Sequence, residues 1–232
     1  MKATDAMAEL HRLASPEIAA SSARYFKMGP GEYGEGDVFI GVRVPVIRKL
    51  AKEFTSLQLN EIEVLLHSEV HESRMLALLV LVNFVAHCDE GQRKAAYEFY
   101  LDNTSHINNW DLVDSSAPAV VGGFLREKSR EPLLRLAQSA SMWERRIAIV
   151  STQHFIRIGQ FDDTITISRI LLADREDLLQ KATGWMLREV GDEDELVLTR
   201  FLDEHRSVMP RTMLRYAIEH FTDAKRRYYL AR

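Results

Sequence analysis

Residues Asn108-Asn109-Trp110-Asp111-Leu112-Val113-Asp114-Ser115 set a tryptophan and an acid four positions apart. In a helix that spacing places Trp110 and Asp114 on one face, a single turn from each other. The apolar neighbours Leu112, Val113 and Val120 point elsewhere, their mean direction roughly 125° round the helix from the Trp110/Asp114 edge. The core does not require this tryptophan, so a flat ring beside a carboxylate reads as a binding edge. A boundary tryptophan with a solvated aspartate would look the same in isolation. The rest of the chain separates the two readings, because it repeats the arrangement.

Helical periodicity runs through all 232 residues, with six prolines and eleven glycines as punctuation. Helices are predicted over 3–14, 16–27, 46–54, 57–67, 70–86, 91–101, 109–126, 131–140, 143–158, 162–173, 176–190, 193–204 and 208–221. Pro118 should kink or end the helix that carries Trp110, and no run of strands is apparent. Beneath the helices lies a period. Segments starting at Arg74, Trp110, Arg146 and Lys181 begin 36, 36 and 35 residues apart, and Arg211 follows after 30. Helix pairs at that interval build an α-solenoid, since one pair cannot bury its apolar face alone. The expected fold is all-α, with HEAT-like helix pairs in one curved, concave domain over 1–232. N-terminal helices and a glycine-rich loop occupy 1–44, repeats follow from about 45, and the second helix of each repeat lines the concave wall.

Two further helices carry the same pattern. From Trp143, residues Ala148, Ile149, Thr152, Phe155 and Ile156 form the apolar stripe, and Trp143, Arg146, Gln153 and Arg157 point away from it. From Asp177, the stripe is Leu179, Ala182, Met186 and Val190, with Lys181, Trp185 and Arg188 roughly 140° away. All three tryptophans thus fall off the core stripe, and a lined groove explains this better than chance. Arg146, Lys181, Arg188, Arg211 and Arg215 suit phosphates, which position a nucleic acid without reading it. Arg43 precedes a further basic helix side of Arg48, Lys49 and Lys52. Indole faces attract cations and stack on bases or sugars. Asp114 is the odd charge in this positive wall, and its expected partner is cationic.

Composition narrows the setting. Thirty Lys+Arg against 34 Asp+Glu give a net charge of -4, so any nucleic-acid contact must be local. Residues 205–232 hold seven Lys/Arg and two acids, whereas 189–204 hold seven acids and one arginine. Cys88 is the single cysteine, which excludes intramolecular disulfides and cysteine-based zinc clusters and suits a reducing compartment. The start of the chain lacks the apolar run of a signal peptide, and Met75–Ala86 is too short to span a bilayer. A cytoplasmic protein is expected.

Other patterns are weak. Gly29-x-Gly31-x-x-Gly34 matches a dinucleotide fingerprint formally, yet no strand precedes it and Glu32 and Glu35 would repel a pyrophosphate. The loop 28–41 reads as a flexible connector. His67 and His71 share a helix face at metal-ligand spacing but lack a third ligand, so neither metal nor cofactor is expected. Cys88 reads as a small buried or boundary residue.

The segments Ala23-Arg-Tyr-Phe-Lys27, Phe39-Ile-Gly-Val-Arg-Val-Pro-Val-Ile-Arg48, Trp110-Asp-Leu-Val-Asp114, Trp143-Glu-Arg-Arg146 and Gln180-Lys-Ala-Thr-Gly-Trp-Met-Leu-Arg-Glu189 resemble those of the AlkD-like DNA alkylation repair family. They occur in the family's order and approximate spacing over nearly the whole chain. The resemblance implies HEAT-like repeats and a monomeric DNA glycosylase that removes cationic N3- and N7-alkylated purines from double-stranded DNA. Position by position it implies Trp110 and Trp185 as cleft aromatics, Asp114 as the catalytic carboxylate, Arg146 as a phosphate clamp and Tyr25 as a further wall. Asn109 stands where some relatives carry a second aromatic, and His154 where a lysine would add a phosphate contact. The family also implies a deoxyribose backbone held in the cleft with the lesion left exposed, unlike enzymes that flip the base. Two other readings stay open: a non-catalytic DNA-structure or damage binder, and a HEAT-type scaffold for a protein partner.

Overall fold

The computed structural model describes residues 1–231, and they are helical with short connections apart from the long segment 26–43. The extended pairing among the described residues is one isolated parallel bridge between Val38 and Val70. The chain forms two compact units, Met1–Ser116 and Ala117–Arg232.

The first unit contains α1 (Ala3–Arg12), α2 (Pro16–Tyr25), α3 (Val44–Glu53), α4 (Leu59–Leu66), α5 (His71–Val85), α6 (Glu90–Asp102) and most of α7 (Trp110–Ala117). Their starts follow local chemistry. The Ser15 hydroxyl accepts from the Ile18 N–H, with Pro16 in the first turn of α2. Asp89 and Gln92 close a capping box on α6. Helix α5 packs against α3 and α4, and every residue from Met75 to Leu81 is buried. That accounts for its unbroken apolar run.

In the second unit, α7 gives way at Pro118 to a wide turn over Pro118–Gly122, then α8 (Gly123–Leu125). Proline has no N–H to donate to the preceding turn, and the widened turn is the local answer. Next come α9 (Glu131–Leu136), α10 (Met142–Ser151), α11 (Gln153–Ile156), α12 (Asp162–Ile170), α13 (Asp177–Glu193), α14 (Glu195–His205), α15 (Arg211–Ala217) and α16 (Asp223–Leu230). Helix α10 packs on α9, α12 and α13, while α13 packs on α12, α14 and α15. The repeat markers Arg74, Trp110, Arg146, Lys181 and Arg211 fall in α5, α7, α10, α13 and α15, as the sequence period requires.

Several expectations change. Helix α16 lies beyond the last helix read from the sequence, because Tyr229 is its one buried residue and gives no apolar period. His67 and His71 do not share a helix. His67 ends α4, bonds to Asn103 at 2.6 Å and stacks on His106, while His71 opens α5. No group of three or more candidate metal ligands occurs among the described residues.

The glycine-rich segment is tethered rather than loose. The Glu72 carboxylate accepts the backbone N–H groups of Ile40, Gly41 and Val42 at 3.1, 2.8 and 3.2 Å. Gly41 has φ +84°, and a Cβ there would lie 2.0 Å from the Ser15 carbonyl, so no larger residue fits beneath α2. Four more buried charges fix the segment's other end. Asp37 accepts from Arg74 at 2.5 Å, from His71 at 3.1 Å and from Asn109 at 3.1 Å, and His71 bonds to Asp111 at 2.9 Å. Asp37, His71, Arg74 and Asp111 are all at most 7% exposed.

Burial lowers the affinity of His71 for a proton, but its bonds to Asp111 and Asp37, reinforced by their charges, leave its pKa above the ordinary 6.5. Burial likewise opposes the Asp37 charge, yet His71 and Arg74 hold its pKa below 3.8. A raised imidazole contributes stability that is complete below about pH 6.5 and lost as pH rises through the folded pKa. A depressed carboxyl contributes stability above its unfolded value and loses it on acidification through the folded one. Wild-type unfolding midpoints should therefore fall as pH rises above 6.5, and thermal melts of His71→Gln should lack that component; parallel curves would assign the loss to other groups. Glu72→Ala strands three N–H groups and should cost on the order of 3 kcal/mol or more in urea unfolding. A cost below about 1 kcal/mol would mean that the segment is not held by this carboxylate.

Candidate active site

The start of α7 is organised by Asn109. Fully buried, it donates to Asp37 and accepts from the Trp110 backbone N–H at 2.8 Å. This fixes the first turn, from which Trp110 and Asp114 emerge half-buried while Leu112, Val113 and Val120 are fully buried. The Trp110/Asp114 edge therefore lies off the core stripe, as the helical spacing requires. Asn109 is an internal hydrogen-bonding residue here, which an aromatic side chain could not replace chemically.

Trp110 is backed by rings. Phe26 lies almost parallel to it, with centroids 5.5 Å apart at 15°, and Tyr25 meets it edge-on at 6.0 Å. Behind Phe26 comes Phe39 at 4.8 Å, and behind Phe39 comes His71 at 4.4 Å, both stacked. Tyr25 was expected at this edge; Phe26, Phe39, His71 and Asp37 were not read as site residues. For three of them the signal was polar residues beside apolar ones, Asp37-Val-Phe39 within the loop 28–41 and His71-Glu-Ser-Arg74 at the start of α5. Tyr25 is 66% exposed. With Arg43 it lines an open depression of about 700 Å³, whose other walls are Ser15, Glu17, Ile18, Ser21 and Ser22. Arg43, just before α3, and Arg48, in its second turn, are exposed.

Close by, the Tyr100 hydroxyl bonds to Ser116 at 2.9 Å, and Ser116 donates to the Leu112 carbonyl at 2.6 Å. Complete burial, followed by the Asp114 charge, pushes the Tyr100 phenol far above its ordinary value despite the Ser116 bond. It stays a neutral anchor at the base of α7.

In the second unit, Lys181, Trp185 and Arg188 share the half-buried side of α13, opposite Leu179, Ala182, Met186 and Val190. The Trp185 indole N–H donates to Glu189 at 3.0 Å, and Arg188 pairs with Glu189 and Glu219. Lys181 pairs with Asp177 at 2.6 Å. Trp143 is half-buried in the first turn of α10. Arg146 corrects its wheel position: expected away from the core, it is 5% exposed and donates to the Leu178 carbonyl. Gln153 is buried for the same reason, since α10 and α11 are covered by neighbours on more than one side. His154 lies among Arg126, Arg157 and Arg130; burial first, and then these cations, lower its pKa. Its Nε2 is shielded and without a hydrogen-bond partner. Arg211 donates to the Leu230 carbonyl, and Arg215 is exposed.

The chain was compared with known proteins. A family model described as DNA alkylation repair enzyme matches residues 6–221. Among solved structures, a predicted DNA alkylation repair enzyme from Enterococcus faecalis shares 19% identity at a TM-score of 0.70, over 90% of this chain and 97% of the other. AlkD2 from Streptococcus mutans shares 16% identity at 0.56, over 89% and 98%. These likenesses show a common all-α helical-repeat fold. No curated protein matches the sequence. The breadth of the family match, covering both tryptophan-bearing units, settles the kinship: the chain belongs to the DNA alkylation repair enzyme family.

Proposed function

We propose that the protein is a DNA glycosylase that hydrolyses the N-glycosidic bond of cationic N3- and N7-alkylpurines in duplex DNA. The observation that carries this reading is the half-buried carboxylate of Asp114 one turn from Trp110, on an edge walled by Tyr25. An N7- or N3-alkylpurine already bears a positive charge and leaves as a neutral base without a general acid. What remains is to stabilise an oxocarbenium-like sugar and to place a water, and a carboxylate does both. One carboxylate about 4 Å from a unit positive charge gains roughly 4 kcal/mol at an effective dielectric of 20. That corresponds to a rate factor on the order of a thousand. Indole and phenol faces add cation–π attraction to the same charge. Trp185, with Lys181 and Arg188, gives the second unit an aromatic and cationic edge of its own. In this reading the chain acts as a cytoplasmic monomer and needs no cofactor.

The direct test is release of free base from a duplex carrying one N7-methylguanine. Wild-type protein should release it, and Asp114→Asn should be slower by on the order of a thousandfold with its duplex affinity retained. Binding without release by either protein would make this a damage binder, and no binding would favour a protein-interaction scaffold. Bulky N7 adducts should be excised as well as methylated ones if the lesion stays exposed; activity on N7-methylguanine alone would mean that an enclosed pocket reads the base. Arg48→Ala should weaken binding and lower the slope of log K against log salt by about 0.9. An unchanged slope would remove α3 from the phosphate contacts.

A further inference from the structure

The ring stack behind Trp110 and the buried ion cluster meet at His71. Its ring lies 4.4 Å from Phe39 and 5.1 Å from Phe26, the same Phe26 that lies flat against Trp110. Its two nitrogens reach carboxylates on separate segments, Asp37 before Phe39 and Asp111 directly after Trp110. The charged groups facing the ring are Asp37 from the tethered segment, Asp111 from α7, and Arg74, which shares Asp37 with it. At 2% exposure the imidazole has no access to solvent as an alternative partner. We propose that His71 is a positioning residue for the Trp110/Asp114 edge, its doubly protonated ring tying the Phe39 segment to the first turn of α7. The tie sets where Trp110 and Asp114 stand relative to a bound sugar.

The chemistry of the two contacts explains why a histidine is used. A neutral imidazole donates from one nitrogen and presents a lone pair from the other. Between two ionised carboxylates one contact would become repulsive, and either the Phe39 segment or α7 would be released. The imidazolium donates to both and also balances the cluster, with Arg74 and His71 against Asp37 and Asp111. A primary amide behaves like the neutral ring, donating to one side and accepting from the other.

That asymmetry supplies a test whose kinetic arm rests on the glycosylase reading. Single-turnover release of N7-methylguanine and duplex affinity are measured for wild type, His71→Gln and the double variant His71→Gln/Asp111→Asn. The single variant should be slower by about a hundredfold, with affinity within about threefold, because a displacement near 1 Å at the reacting group is enough. In the double variant the introduced amides donate and accept in turn from Asp37 to position 111, and at least about tenfold of the lost rate should return. A role limited to ring packing predicts no return, since the ring is missing from both proteins. The proposal is overturned if His71→Gln stays within about twofold of wild type or if the second substitution restores nothing. A second measurement needs neither variant nor activity. Nitrogen-15 NMR of the wild type at about pH 6.5 should find both His71 ring nitrogens protonated. A neutral ring there overturns the clamp whether or not base is released. An intact imidazolium in a protein that releases no base defeats the glycosylase reading and leaves the clamp standing.

Discussion

The bridge from Asp37 through His71 to Asp111 is the constraint on which the first unit's site depends. Desolvating a charge costs several kcal/mol even after relaxation, so such a cluster persists when each group finds its partners. Here the two carboxylates and the imidazole are engaged, although the Arg74 Nε is shielded without a hydrogen-bond partner. Asp37 takes Arg74 on one oxygen and His71 and Asn109 on the other, and Asp111 takes His71 and the Leu112 N–H. Well-packed apolar residues could match this stability, but they would not specify the same geometry. Directional bonds to three separate chain segments fix where each one starts, and one of those starts is the turn that bears Trp110.

His71 and its neighbour Glu72 divide the work along the glycine-rich segment. Glu72 holds residues 40–42 through their N–H groups, and the His71 cluster holds Asp37. Between these ties Phe39 is carried onto the His71 ring and against Phe26. A glycine is needed at 41 because the backbone both turns left-handed and passes against the Ser15 carbonyl. A stretch that looks like a connector in composition therefore behaves as a structural insert. Its interior is a stack of rings that ends in the face of Trp110.

The parts legible in the sequence were those with a period. Apolar spacing correctly separated Leu112, Val113 and Val120 from Trp110 and Asp114, and the α13 stripe from Lys181, Trp185 and Arg188. The buried cluster has no period to read. Asp37 meets His71 across 34 positions and Asn109 across 72, so only the fold brings them together. Arg146 failed for a different reason. A helical wheel assumes one buried face, whereas α10 is packed on several sides and everything from Arg146 to Gln153 is buried. Resemblance placed Tyr25 at the Trp110 edge, but nothing local in the sequence marked Phe26 as the ring lying parallel to the indole.

The cations near these edges differ in what they can give a phosphate. Arg43, Arg48 and Arg215 are exposed and have no carboxylate partner among the described residues, so their fields reach into solvent and can attract a polyanion from a distance. Arg188 and Lys181 are already paired with acids. The Lys181–Asp177 contact is partly exposed and of a kind that contributes at most about 1 kcal/mol, so a phosphate can exchange into it at little cost. Arg188 is more enclosed, and Glu189 serves it and the Trp185 indole together. Moving that carboxylate would release the ring as well as the guanidinium. The acid beside Trp185 thus lowers the attraction of its own surface for a polyanion while fixing the orientation of the indole.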